Sequence, residues 1–248
     1  MVRIFPDKPS MSIAAARHAV TRLHDLLQAK ASVRLIAATG ASQLSFLEEL
    51  TREHSLDWSR VELFHLDEYI GIGPEHPASF ARYIRERIVE PLNLRRYHLL
   101  DGKRHPKETI TEANALIRAA PVDLAFVGIG ENGHLAFNDP PADLDTEDPY
   151  IVVNLDLECR QQQVNEGWFA TVDEVPERAI SMSIRQILNS NEIVCVVPGA
   201  QKAAAVRAAL EGPVCVEVPA SLLQTHPRVS IFLDAASASQ LGTAMTST

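Results

Sequence analysis

Four short stretches of the 248-residue chain hold residue types suited to acid–base chemistry on a small anionic molecule. In GIGENGHLAFND, residues 128–139, His134 sits among glycines with Asn132 and Asp139 on either side. An imidazole exchanges protons near neutral pH, and glycines at 128, 130 and 133 let the backbone turn sharply beside a ligand. Asp67-Glu68-Tyr69-Ile70-Gly71 offers a carboxylate pair for general acid or base work. Thr39-Gly40-Ala41-Ser42 presents hydroxyls and amides ahead of a helix, an arrangement that can hold a phosphate; Ser42 is also a good N-cap. Pro198-Gly199-Ala200-Gln201-Lys202 puts Lys202 in the first turn of a helix, where its charge opposes the macrodipole unless an anion is bound.

Each stretch directly follows an apolar run. VRLIAA (33–38), VELFHL (61–66), VDLAFVG (122–128) and EIVCVV (192–197) read as buried strands, and YIVVNL (150–155), AISMS (179–183) and VSIFLD (229–234) as further ones. YHLL (97–100) suggests a short strand. Helical spacing marks 11–30, 42–54, 78–90, 106–119 and 199–210. Apolar strands alternating with helices predict a mainly parallel sheet covered on both faces, a Rossmann-like three-layer α/β fold. We expect one domain over 1–248. Right-handed crossovers place the βα loops on one sheet edge, and ligands bind there at the carboxyl ends of the strands. The four stretches are therefore expected to share one cleft. The polar, irregular segment 139–175 is expected to have lid character.

The net charge is −9 with no basic stripe, which argues against nucleic acid as a partner. An anionic ligand would have to be held by a local site. No run approaches the ~20 apolar residues of a membrane span, and MVRIFPDKPS lacks the basic and apolar regions of a signal peptide. Cys159, Cys195 and Cys215 form no CxxC pair, so buried free thiols in a reducing cytoplasm are expected. There is no recognised metal-ligand spacing. GIGENG has G-x-G-x-x-G spacing, but it lies mid-chain, and the Gly-His-Leu-Ala-Phe-Asn that follows does not read as a regular helix start. No cofactor is expected.

The motifs ATGAS (38–42), LDEYIG (66–71), HPASF (76–80), GIGENGHLAFND (128–139), GAQKA (199–203), EGPV (211–214) and PASLLQTHP (219–227) occur in an order that resembles the glucosamine-6-phosphate deaminase (isomerase) family, close to the 6-phosphogluconolactonases. The DEY-G and GHLAFN motifs resemble the deaminase branch. The resemblance implies that His134 assists ring opening and that Asp67 moves a proton between C2 and C1. Asn132 and Asp139 would support His134, while Thr39, Gly40, Ala41, Ser42 and Lys202 would hold the 6-phosphate. The implied partner is a phosphorylated sugar, with homo-oligomerisation left open. This chain has Asn132 where many members carry an aspartate, and Asp139 where a glutamate is usual. The shorter Asp139 must approach His134 more closely or act through a water. Gly167 stands where family members place a phosphate-binding arginine, with Arg160 and Arg185 as candidate substitutes; Phe80 replaces a lid tyrosine found in some. Two other activities are kept in view: lactone hydrolysis with His134 as base, and sugar-phosphate sensing without turnover.

Overall fold

A computed structural model describes residues 1–242; the last six residues of the expected 1–248 domain lie outside the described residues. Ten strands are β1 (Val2–Phe5), β2 (Val33–Ala37), β3 (Val61–His65), β4 (Asp67–Tyr69), β5 (Arg96–His98), β6 (Leu124–Val127), β7 (Tyr150–Asn154), β8 (Arg178–Met182), β9 (Ile193–Val197) and β10 (Val229–Asp234). Seven helices are α1 (Lys8–Ala29), α2 (Leu44–Thr51), α3 (Phe80–Ile84), α4 (Pro106–Arg118), α5 (Leu157–Asn165), α6 (Ile184–Leu188) and α7 (Ala203–Glu211). Seven strands form a parallel sheet in the order β1-β10-β9-β6-β2-β3-β5.

The period-2 alternation of side chains divides the core in two. Ile36, Phe64, Ala125, Cys195 and Ile231 point to one face, against Ile117 of α4, Ile184 and Ile187 of α6, and Val206 of α7. Leu35, Leu63, Phe126, Val194 and Phe232 point to the other, against Ala15, Ala19 and Leu23 of α1, Phe46 and Leu47 of α2, and Ile84 of α3. Continuous apolar runs are the signature of strands buried on both faces, and β2 and β9 are buried at every residue.

Three expectations are corrected. YIVVNL and AISMS do not join the parallel sheet. They become β7 and β8, which pair antiparallel with each other and with β4 in a second, three-stranded sheet. Asp67-Glu68-Tyr69, expected as a loop after a strand, is β4 itself, because its backbone pairs with Ser181, Ile180 and Ala179. The first strand, β1, lies in a segment with no clear alternation and is fixed by pairing with β10 at the sheet edge. A third apolar cluster, including Tyr69, Phe80, Phe137, Cys159 and Phe169, fills the space between the small sheet and α5. Among the described residues, no helix is long and apolar enough to cross a membrane.

Candidate active site

The parallel sheet brings the carboxyl ends of β2, β6 and β9 to one edge, and β4 continues from β3 beside them. A cleft opens there, lined among others by Thr39, Gly40, Ser42, Asp67, His134 and Lys202. The four stretches singled out in the sequence therefore converge. Ala41 is adjacent and presents its amide toward the same place, as its partner below shows.

Asp67 is 5% exposed. Burial, reinforced by the neighbouring negative charge of Glu68, pushes its carboxyl up to about 8, against a weak hydrogen bond of 3.4 Å from the Thr39 hydroxyl. A carboxylate with that value is a competent base near neutral pH. Glu68 has a different task. Its carboxylate accepts hydrogen bonds from the backbone N–H groups of Tyr69, Phe80 and Ala81 and from the Ser79 hydroxyl, at 2.7–3.2 Å. Burial raises its carboxyl to about 7, while these four donors favour the charged form. Glu68 thus ties β4 to the first turn of α3, whose N-cap is Ser79.

The His134 loop is built around missing side chains. A Cβ on Gly130 would lie 2.3 Å from the His134 imidazole, so the ring packs directly on the Gly130 backbone. Gly133 has φ +87°, a left-handed turn that glycine adopts without penalty. His134 Nδ1 lies 3.0 Å from Asp139 Oδ1, so the shorter aspartate reaches the ring directly. The contact is short, but its alignment is poor for a hydrogen bond. Burial alone would raise the Asp139 carboxyl; the imidazole, the Asn132 amide and the Asp156 N–H outweigh it and hold the group below the usual carboxylate range.

Asn132 does more than flank the histidine. Its Nδ2 donates to Asp139 Oδ1 at 3.0 Å and to Asp156 Oδ2 at 3.1 Å, and its Oδ1 accepts the His134 N–H at 3.1 Å. An amide can stand between two carboxylates where a third carboxylate would be repelled. Asp156 is the N-cap of α5, accepting from Cys159 N at 2.6 Å. His134, Asp139 and Cys159 place donor atoms within 4.8 Å of one another, a set that a divalent cation with a taste for nitrogen and sulfur would accept. Sequence spacing does not group them. Burial and the nearby aspartates push the Cys159 thiol well above its ordinary range, so it is a thiol rather than a thiolate.

Lys202 ends a short 3-10 turn and caps α7. It is 2% exposed, so its ammonium is held inside the cleft rather than carried into water. Burial lowers its ammonium, and the charges of Glu166 and Glu131 partly restore it. It is the one lysine or arginine lining the cleft among the described residues. Arg160 and Arg185 do not take the place of the arginine that the resemblance implies: Arg160 donates to the Val172 carbonyl at 2.7 Å, and Arg185 is half-exposed beside Glu147. Gly167 has φ +84° just past α5, a helix-ending conformation that favours glycine. Ser42 is not an N-cap, since α2 begins at Leu44 behind Gln43. Phe80 lines the cleft.

Sequence reasoning missed Glu166, Gln162, Gln163 and Asp156. All four belong to α5 or its flanks, whose polar sequence LECRQQQVN lacks an apolar stripe. An aspartate three residues ahead of Cys159 is the one signal, an N-cap pattern, that marks the helix start.

The chain is similar to known proteins over most of its length. Residues 6–231 match the family model described as glucosamine-6-phosphate isomerases/6-phosphogluconolactonase. A glucosamine-6-phosphate deaminase of an Exiguobacterium species is 36% identical over 91% of this chain and 87% of its own length. One from Streptococcus agalactiae is 35% identical over 92% of this chain and 96% of its own. A solved structure described as a monomeric glucosamine-6-phosphate deaminase superposes with a TM-score of 0.89 at 28% identity, covering 97% of this chain and 99% of that one. A 6-phosphogluconolactonase of Thermotoga maritima, at 17% identity and a TM-score of 0.79, shares the fold. On these matches and on the order of its motifs along the sheet edge, the chain belongs to the glucosamine-6-phosphate isomerase/6-phosphogluconolactonase family.

Proposed function

We propose that the protein converts glucosamine 6-phosphate and water to fructose 6-phosphate and ammonia. One observation carries the reading: Asp67, a buried carboxyl raised to about 8, shares a cleft with His134, whose ring Asp139 contacts from behind at 3.0 Å. His134 protonates the ring oxygen as the hemiacetal opens, with Asp139 holding the imidazole. Asp67 removes the C2 proton of the open aldose and delivers it to C1. One oxygen can serve both carbons because they are adjacent. The C2 imine that results is attacked by water, and ammonia leaves. The backbone of Thr39 to Ser42 and the Lys202 ammonium hold the 6-phosphate. The segment carrying α5 acts as a lid over a single domain, working without a cofactor in the cytoplasm.

A lactonase would use His134 to activate water and would not need a carbon-proton shuttle. The test is ammonia and fructose 6-phosphate release by the wild type and by Asp67→Asn. Ammonia from the wild type and a loss of about 10³-fold or more in the variant support the proposal. No ammonia at millimolar substrate overturns it, as does a variant that keeps most of the activity. Native mass measurement settles whether the chain works as a monomer or as a homo-oligomer.

A further inference from the structure

The loop assigned to phosphate already holds an anion. Glu166, the residue that ends α5, turns its carboxylate into the cleft. Its Oε2 accepts the Ala41 N–H at 3.1 Å and the Trp168 indole N–H at 3.1 Å, and its Oε1 accepts from Gln162 Nε2 at 2.7 Å. Oε2 lies 3.6 Å from where a Cβ on Gly40 would stand, so it sits directly over the Thr39–Ser42 turn. Gly40 has φ +96°, the conformation that aims the following amide outward. Nearby Lys202 owes part of its charge to Glu166. The space left in the cleft is about 60 Å³, room for a few waters.

We propose that Glu166 is a built-in competitor for the phosphate cradle: its carboxylate occupies the Ala41 amide and must leave before a phosphorylated ligand can bind. A carboxylate and a phosphate dianion compete for one N–H donor, and two such charges held at that distance repel. Exchange of one anion for another keeps Lys202 compensated in both states. The competitor therefore sets ligand affinity without leaving a buried ammonium unpaired. Glu166 also belongs to the segment that covers the cleft, so its release couples phosphate entry to movement of α5. Glu166 is in this sense a specificity residue, since a ligand lacking the phosphate gains too little to displace it.

The inference rests on the assignment of the Thr39–Ser42 turn as the phosphate site, and its test needs no turnover. Inorganic phosphate is titrated calorimetrically into the full-length wild type, Glu166→Gln and Glu166→Ala. Both variants are expected to bind phosphate at least fivefold more tightly than the wild type. The glutamine keeps an acceptor for Trp168 and Ala41 while removing the charge, so it guards against a collapse of the segment in the alanine variant. A smaller gain, or weaker binding, in the glutamine variant overturns the inference. If the wild type releases no ammonia from glucosamine 6-phosphate but the fivefold gain appears, the reaction assignment fails and the competitor stands. If ammonia is released and phosphate affinity does not rise, the competitor alone fails.

Discussion

The contact between Gly130 and His134 allows a test in which steric displacement alone is the perturbation. Gly130 lies outside the left-handed region, so alanine can adopt its backbone. The new methyl carbon, however, would start 2.3 Å from Cε1 and Nε2 of His134 and 2.4 Å from Cδ2. Ordinary contact begins near 3.4 Å, so the ring must retreat by about 1 Å. The ring has little room, because Asp139 stands 3.0 Å from Nδ1 and both residues are buried. A misplacement of about 1 Å costs on the order of 10²-fold in rate, and overpacking a tight site costs about 1–3 kcal/mol of stability. Gly130→Ala should therefore lower kcat/KM for ammonia release about 100-fold and lower Tm by several degrees. The stability loss should vanish when alanine is introduced into a His134→Ala protein, because the ring that clashes is gone. The reasoning is refuted if Gly130→Ala retains near-wild-type kcat/KM, or if its stability loss is the same with and without the histidine.

Asn132→Asp places a third carboxylate about 3 Å from Asp139 and Asp156; activity should fall at least about tenfold, more at pH 8 than at pH 5.5, and an equal loss at both pH values would contradict the charge argument. Asp67 gives a pH-dependent stability term. Its folded value is raised from 3.8 to about 8, so the contribution is fully present below 3.8 and is lost as pH rises through about 8. Asp67→Asn does not titrate, so its Tm relative to the wild type should rise between pH 4 and pH 8.5, by about 4 °C or more; a constant difference across that range argues that Asp67 is not raised. Asn138→Ala removes a 2.8 Å donor from each of two buried carbonyls, Leu135 and Met182, which keep only the longer bonds from the residue 138 N–H and the Ser181 hydroxyl, at 3.1 and 3.2 Å. It should cost about 1–3 kcal/mol in denaturant unfolding, and kcat should fall more than KM rises.

Most of the sheet was legible because strands buried on both faces are mainly apolar, as β6 and β9 are throughout and β2 and β3 are apart from Arg34, Glu62 and His65. The site residues that follow those strands were legible for the same reason: a parallel sheet delivers them to one edge whatever the loops do. Legibility failed where local sequence carries no periodic signal. Asp67-Glu68-Tyr69 is a strand because partners more than a hundred residues away supply its hydrogen bonds. Helix α5 has no apolar stripe; it is held by the Asp156 cap, by Tyr69 donating to Gln163 at 2.8 Å and by Glu131 N donating to Gln162 at 3.0 Å. Both contacts join α5 to segments far away in the chain, so no window of sequence contains both halves of either. Glu166 escaped notice for that reason, although it contacts the same turn that the sequence marks for phosphate.

The placement of His134 and Asp67 on two different sheets has a mechanical consequence. His134 hangs from the parallel sheet on the loop after β6, whereas Asp67 belongs to β4 of the antiparallel one. Their separation depends on how the two sheets are joined. β3 runs directly into β4 through Leu66, and the residues just after the histidine add a second join on the His134 side. Phe137 stacks on Phe80 and packs against Tyr69, with ring centroids 5.6 and 5.1 Å apart, and its N–H donates to the Ser181 hydroxyl at 3.0 Å. Asn138 donates to the Met182 carbonyl of β8. Ala136, with φ +53°, bends the loop so that these side chains face the small sheet while His134 faces the cleft. A left-handed alanine costs on the order of 1 kcal/mol, and the contacts made by the next two residues offset it. The motif GHLAFN thus contains His134 and also the clamp that joins its loop to the small sheet carrying Asp67. That explains why a phenylalanine and an asparagine with no chemistry of their own belong beside the histidine.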